Sequence, residues 1–424
     1  MVHITHKHDR PKISDKITSI LFKRALPLTI ADTAAKGATF IIALLIARSM
    51  GPFIYGQYAT AASICGILML FAGIGFEQEL TRRGGLEKEK TGYYLRLNLA
   101  SLFGSLVLSY FVLAVFLFFS KYPWETVSIT LLFGIGYSIN RMQLPFRYYC
   151  LLKNEVHITA TAQILSIFVN IGITLLIIYY TRNIAFILLG QIGLNGLTLA
   201  FWFYWCPDKL IAKDSASFKK IIDFTKYSIP FALSNILWVM YFNFDTFIMS
   251  LFDTETNVGI YAGIYRIIGI NYILGYAITN SFTPVLYESY LEGKDSFSLI
   301  AKKLIRLKLI FGAVFGTLLL SISPYLILYV VGDRYIAGLP IARILCVAVF
   351  FRFLNFALCE ILTTSANQRK RVIYEAYMLL VNIVFNLLLI PKFGGVGAAA
   401  ATLLSEIFLT LCVSVSCMRL LSSK

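Results

Sequence analysis

The sequence is short of charge, and of acid above all. Charged residues make up 14% of its 424 residues, where a soluble domain carries roughly 25%. Asp and Glu number 22 against 38 Lys and Arg, a formal net charge of +16. That is too little charge to clothe a water-facing surface, which excludes a soluble globular protein. Cysteine pairing is missing as well. The seven cysteines include no CxxC and all lie within or beside apolar stretches, so neither a disulfide framework nor a zinc site is expected. Histidine is scarce. His3, His6 and His8 stand together in the first 24 residues and read as part of a polar, basic tail, not a metal site. The apolar stretch after that tail runs past the length of a signal h-region, so no cleavable signal peptide is expected. Long polar loops are absent too. The longest, around 206–227, is too short for a folded domain, which counts against a membrane enzyme with its chemistry on a large loop.

What is there is apolar. Hydrophobic residues reach 58%, with a mean hydropathy of +0.74. They fall into twelve stretches near 25–47, 57–81, 97–120, 126–149, 158–180, 184–205, 228–251, 258–286, 309–330, 338–364, 373–390 and 396–418. Most approach the roughly 20 residues that cross a hydrocarbon core. The gaps between them alternate in charge. Basic residues crowd the N-terminal tail, Arg82 to Arg96, Lys209 to Lys226, Lys294 to Lys308 and Arg369 to Arg371. The intervening gaps hold only Arg48, Lys121, Arg182, Arg334 and Lys392. Basic loops stay on the cytoplasmic side, so both termini are expected there. The excess positive charge is thereby explained without a nucleic-acid partner.

The two halves repeat one another faintly. Pro27 matches Pro230, and Gly56-Gln57-Tyr58-Ala59 matches Gly259-Ile260-Tyr261-Ala262, both at an offset of 203. Val169-Asn170-Ile171 matches Val381-Asn382-Ile383. An even number of spans per half makes the repeat parallel, about an axis along the membrane normal. The expected fold is an all-α polytopic membrane protein, twelve transmembrane helices in two six-helix bundles around a central cavity. Its parts are a cytoplasmic tail, 1–24; an N-terminal bundle, 25–206; a cytoplasmic linker, 207–227; and a C-terminal bundle, 228–424. Two bundles rocking about a cavity make an alternating-access transporter.

Ionisable groups inside spans are costly and mark sites or partners. Arg141, Arg266, Arg343, Arg352 and Lys36 are the intramembrane cations, drawn from both halves. They are the candidates for an anionic headgroup, because a guanidinium offers a planar, permanently charged fork to phosphate oxygens. Asp32, Asp245, Glu360 and Glu375 are candidate ion-coupling acids, and Glu406 completes the intramembrane set. Asp32 and Lys36 stand four apart, so a self-neutralised pair is the rival reading. Glu77 and Glu79 sit near Arg82 and Arg83 at a span edge, where snorkelling is expected. No catalytic or metal-binding residue emerges. Gly395, Gly397 and Ala400 fit a loose dinucleotide pattern, but the strand and acid it needs are missing.

Three strips carry a family resemblance. They are Leu44-Leu45-Ile46-Ala47-Arg48-Ser49-Met50-Gly51-Pro52 with Tyr55-Gly56-Gln57-Tyr58-Ala59; Gly73-Ile74-Gly75-Phe76 before Arg82; and Pro391-Lys392-Phe393-Gly394-Gly395-Val396-Gly397-Ala398-Ala399-Ala400-Ala401-Thr402. The chain resembles the polysaccharide-biosynthesis, O-antigen-type flippases of the multidrug/oligosaccharidyl-lipid/polysaccharide exporter superfamily. The resemblance implies a non-enzymatic protein of the bacterial cytoplasmic (inner) membrane. It implies export of an undecaprenyl-diphosphate-linked oligosaccharide from the cytoplasmic to the periplasmic leaflet, with H+ or Na+ coupling in some relatives and no cofactor. The implied partners are a polyprenyl-diphosphate-linked glycan, membrane lipid, and the glycan polymerase and glycosyltransferases of one pathway. The alternative on the same fold is a cation-coupled exporter of drugs or small metabolites.

Overall fold

The computed structural model describes residues 26–73, 75–205, 217–229 and 233–422. The side chains of Asp32 and Lys36 lie outside the described set, as do the tail with its histidines and residues 207–216 of the linker. All regular structure among the described residues is helical. In chain order the helices are α1 Leu26–Leu68, α2 Phe76–Leu86, α3 Thr91–Phe119, α4 Trp124–Leu152, α5 Val156–Tyr180, α6 Ile184–Trp205 and α7 Phe218–Ser228. The second half holds α8 Leu233–Phe252, α9 Glu255–Gly269, α10 Asn271–Glu292, α11 Lys294–Leu326, α12 Leu339–Thr364 and α13 Gln368–Ser422.

Eight helical stretches among the described residues are long and apolar enough to cross a membrane. The chain is a multi-pass membrane protein. Outward-facing side chains agree. Phe118, Tyr204 and Leu291 are each more than 80% exposed, and large apolar side chains exposed in such number belong against lipid. Glycine breaks two of the eight stretches. α1 is interrupted at Gly51 (φ 81, ψ 176), just before Pro52, a residue whose fixed φ suits a helix start. α13 is interrupted at Gly394 (φ 54, ψ −133). A Cβ on Gly397 would lie 2.6 Å from the Leu389 carbonyl carbon. Along a straight helix these residues would be ~12 Å apart, so the chain reverses at Gly394.

Two predicted spans and one predicted loop change shape. The stretch 57–81 is not one helix: α1 ends at Leu68, a turn follows, and α2 begins at Phe76. Gly73 (φ 85) and Gly75 (φ 78) take the left-handed conformation that ends a helix. The stretch 258–286 is likewise divided between α9 and α10 at Ile270. The basic run from Lys294 to Lys308 is helix, not loop. Lys308 lies fifteen residues into α11, fully buried at 0% exposure. Its apolar neighbours on the helix carry it into the bundle.

The buried apolar residues form three main clusters. One is drawn from Ile64 to Phe224 and one from Tyr241 to Cys417. The third joins the halves, with Ile46, Met50 and Tyr55 beside Ile260, Ile264 and Tyr335. Amphipathic α7 belongs with the first half, because Phe224 is fully buried in that core, its ring tilted against that of Phe76 at 6.2 Å.

Candidate functional site: cavities and buried charge between and within the halves

The two halves meet most closely around Gly51. Gly56 of α1 and Gly259 of α9, mates in the internal repeat, face each other. A Cβ on Gly259 would lie 2.8 Å from the Gly56 nitrogen, and one on Gly56 would lie 2.7 Å from the Glu255 carbonyl carbon. Only glycine permits this approach. Around the crossing, the Tyr335 hydroxyl donates to the Ala47 carbonyl at 3.1 Å, and Arg48 donates to the Tyr329 carbonyl. The Tyr122 and Ser250 hydroxyls are 2.7 Å apart.

Beyond this crossing lies a cavity of about 410 Å³ between the halves. Thr39, Tyr58, Asn243, Thr246, Arg266 and Tyr272 border it. Both halves interrupt a helix beside it. α1 ends two residues after Gly66, and α9 ends at Gly269, the mate of Gly66 at the 203 offset. Interrupted segments at corresponding positions of two repeats mark binding sites in transporters. Arg266 is the one charged residue among the described residues lining this cavity. Its Nη1 reaches the Thr39 carbonyl across the halves at 3.5 Å. The Tyr265 hydroxyl, on the same border, is buried without a hydrogen-bond partner.

The other candidate cations stand elsewhere. Arg141 donates from Nη2 to the Gly73 carbonyl at 3.0 Å, and the same nitrogen lies 3.8 Å from Glu77 Oε1. Arg352 is 5% exposed. Its Nη2 lies 3.1 Å from Glu406 Oε1, and its guanidinium packs 4.7 Å from the Tyr241 ring and 5.2 Å from the Tyr272 ring. It borders a small cavity of about 50 Å³ in the second half, together with Glu360, Arg371 and Glu375. Arg343 is exposed near the start of α12. The structure therefore places Arg141, Arg266 and Arg352 in three separate surroundings.

Among the acids, Glu360 accepts from Thr283 at 2.7 Å and Glu375 from Arg371 at 2.9 Å. Asp245, 4% exposed, pairs with no cation among the described residues. It sits in a buried oxygen-rich cluster. Its Oδ1 accepts from Asn386 at 2.5 Å, and its Oδ2 from Thr402 at 2.7 Å and Tyr261 at 2.8 Å. Asn386 also donates to Asn382 Oδ1 at 3.0 Å, while its own Oδ1 is buried with no partner. Hard oxygen donors of this kind suit a small monovalent cation or a proton.

Glu77 and Glu79 do not snorkel. They are 5% and 0% exposed, and Arg82 and Arg83 fold over Glu79 at 2.8 and 2.5 Å, one helical turn away. Sequence reasoning missed the roles of Glu406 and Lys308. Glu406 also accepts from Tyr241 at 2.5 Å and Asn355 at 2.8 Å. Its partner Arg352 is on another helix, so no local spacing announces the pair. Lys308 donates to the Gly275 carbonyl, and its Nζ lies 5.4 Å from the Phe353 ring. The apolar flanks Leu307 and Leu309 were the available signal.

Comparison with known proteins assigns the family. The sequence profile of polysaccharide biosynthesis proteins matches residues 21–290, more than half of the chain. The MatE profile matches residues 230–388. A curated relative, the probable low-salt glycan biosynthesis flippase Agl15 of Haloferax volcanii, is 22% identical over 411 residues, covering 91% of this chain and 81% of the relative. The fold resembles the lipid II flippase MurJ in an inward closed conformation, with TM-score 0.72, 18% identity, and 92% and 87% of the two chains covered. It also resembles an inward-facing multidrug resistance MATE family transporter of the MOP superfamily, with TM-score 0.71, 15% identity, and 90% and 94% covered. The chain belongs to the polysaccharide biosynthesis protein family and has the fold of MOP-superfamily transporters.

Proposed function

We propose that this polysaccharide biosynthesis family member flips a polyprenyl-diphosphate-linked oligosaccharide across the membrane by alternating access. The observation that carries this reading is the charge of the cavity between the halves. Arg266 is its one charged lining residue among those described, with hydroxyls and a carboxamide around it. A diphosphate leaving water needs a cation to replace its hydration, while its polyprenyl chain stays in lipid. A cationic drug would meet the wrong sign. The drug-exporter reading draws support from the MatE match and from the likeness of the fold to a multidrug MATE transporter.

In our reading the chain sits in a bacterial cytoplasmic membrane with both termini inside, as its basic loops favour. The Gly51 crossing then faces outward and is shut, and the headgroup enters from the cytoplasmic leaflet. An undecaprenyl carrier follows from that membrane. Arg266 holds the diphosphate in this state, and Arg141 and Arg352 become available only if their present contacts are released. Asp245 is the coupling acid. A Na+ bound among Asp245, Asn382, Asn386 and Thr402, or a proton on Asp245, would compete for the bonds that now tie α8, α9 and α13 together. No catalytic step is needed, and the glycosyltransferases and polymerase act before and after the transfer.

The test is transport of a fluorescent undecaprenyl-diphosphate glycan in proteoliposomes. Arg266→Ala should lower the rate with insertion unchanged, and Arg266→Lys should restore only part, having lost the planar fork. Wild-type transport by Arg266→Ala would overturn the headgroup role.

A further inference from the structure

A second, partly open cavity of about 260 Å³ lies in the first half, lined by α1, α4, α5 and α6. Small-molecule pockets begin at about 300 Å³, so it approaches the size of a ligand site. Its lining is unusual. Five carboxamides converge there: Asn140, Gln143, Gln163, Asn170 and Asn195. Arg147 is the one charged residue among the described residues bordering it, and its Nη2 donates to Gln163 Oε1 at 2.7 Å. No acid borders it among the described residues.

Gln143 is buried, Gln163, Asn170 and Asn195 are half-buried and Asn140 is exposed on the cavity side; amides at membrane depth are costly unless they are bonded. Several of these bonds are long. Asn140 and Gln143 both reach Asn195 Oδ1 at 3.4 Å, and Ser166 and Thr198 stand 3.4 Å apart. Good hydrogen bonds involving N–H donors are near 2.9–3.0 Å, so the cluster has capacity to spare for hydroxyls and amides of a guest. Thr39 borders this cavity and also the cavity between the halves, where Arg266 reaches its carbonyl. The two spaces therefore adjoin at one residue of α1.

We propose that the carboxamide cavity is a subsite for a neutral sugar, the pyranose attached directly to the diphosphate. This rests on the lipid-linked glycan reading. Arg266 takes the phosphates, and beyond Thr39 the carboxamides exchange their long mutual bonds for bonds to sugar hydroxyl and N-acetyl groups. Amides both donate and accept, which matches the hydroxyl and N-acetyl groups of a sugar, and Arg147 is engaged by Gln163.

The experiment measures equilibrium binding to the full chain in lipid nanodiscs of two probes, undecaprenyl diphosphate N-acetylglucosamine and undecaprenyl diphosphate without sugar. Asn195→Leu removes the shared acceptor. Ala162→Leu keeps every carboxamide and fills space at the cavity wall, so it carries the test if the first variant does not fold. Each should weaken the sugar-bearing probe by about tenfold, the effect of one or two lost hydrogen bonds, and leave the bare lipid unchanged. Arg266→Ala should weaken both. Unchanged binding of both probes in the two cavity variants, or equal loss of both, would overturn the sugar subsite and leave the flippase reading standing. A wild-type protein that binds neither probe would overturn the flippase reading itself.

Discussion

Replacing Gly56 with alanine places one methyl group where the two halves touch, and it should favour the state open on that side. The added Cβ would stand 2.7 Å from the Glu255 carbonyl carbon, and ordinary contact begins at 3.4 Å. The Glu255 carbonyl oxygen stands nearer still, so α1 and α9 must part by more than about 1 Å at this point. The obstacle is backbone, so no rotamer change relieves it. Overpacking of this kind costs about 1–3 kcal/mol. The cost falls on the closed crossing and vanishes when the halves separate there. Such a difference shifts the balance of the two states by about 5- to 150-fold. The assay is labelling of a cysteine introduced at Thr246, on the cavity wall, by a membrane-impermeant maleimide added from the outer face. Native cysteines are replaced beforehand. Labelling should rise in proportion to the open population, and Gly259→Ala should act in the same direction. If thermal stability falls while labelling stays at the parent rate, the crossing is mere packing and the gate argument fails.

Three further outcomes follow from buried charge. Arg352→Met should destabilise the protein by about 3–5 kcal/mol by stranding Glu406, and adding Glu406→Leu should recover most of it; thermal unfolding in lipid reads both, and no recovery in the double variant would refute the pairing as the cause. Asp245→Asn should abolish the response of transport to an imposed sodium or proton gradient while sparing substrate binding, and a full gradient response would remove Asp245 from coupling. Lys308 meets no carboxylate within ion-pair distance among the described residues, so Lys308→Met should raise the melting temperature or leave it unchanged; a clear drop would mean that the ammonium stabilises the fold.

Much of the scaffold was legible in the sequence because a membrane leaves few options for the backbone. Hydropathy and alternating loop charge pointed to a helical multi-pass chain. The repeat anticipated more than topology, since the matched Gly56 and Gly259 turn out to touch. The breaks at Gly75 and Ile270 were less visible, because a short turn among apolar residues barely lowers mean hydropathy. Arg352 with Glu406 and the Asp245 cluster join residues far apart in the chain, where no periodicity connects them. The carboxamide cavity was hardest to see. An uncharged Asn or Gln in an apolar helix is unremarkable singly, and only the packing of α4, α5 and α6 gathers five of them.

The apolar core shared by the halves has a consequence for the tempo of the cycle. Its residues, Ile46, Met50 and Tyr55 with Ile260, Ile264 and Tyr335, are buried together across the very surface that must part. Burying one large apolar side chain is worth about 1.5–3 kcal/mol, and here that gain belongs to one access state only. The carrier thus idles shut. Opening exposes apolar area and so raises the heat capacity; that cost falls on the loaded carrier's outward-opening step and bends its rate away from a straight line with temperature.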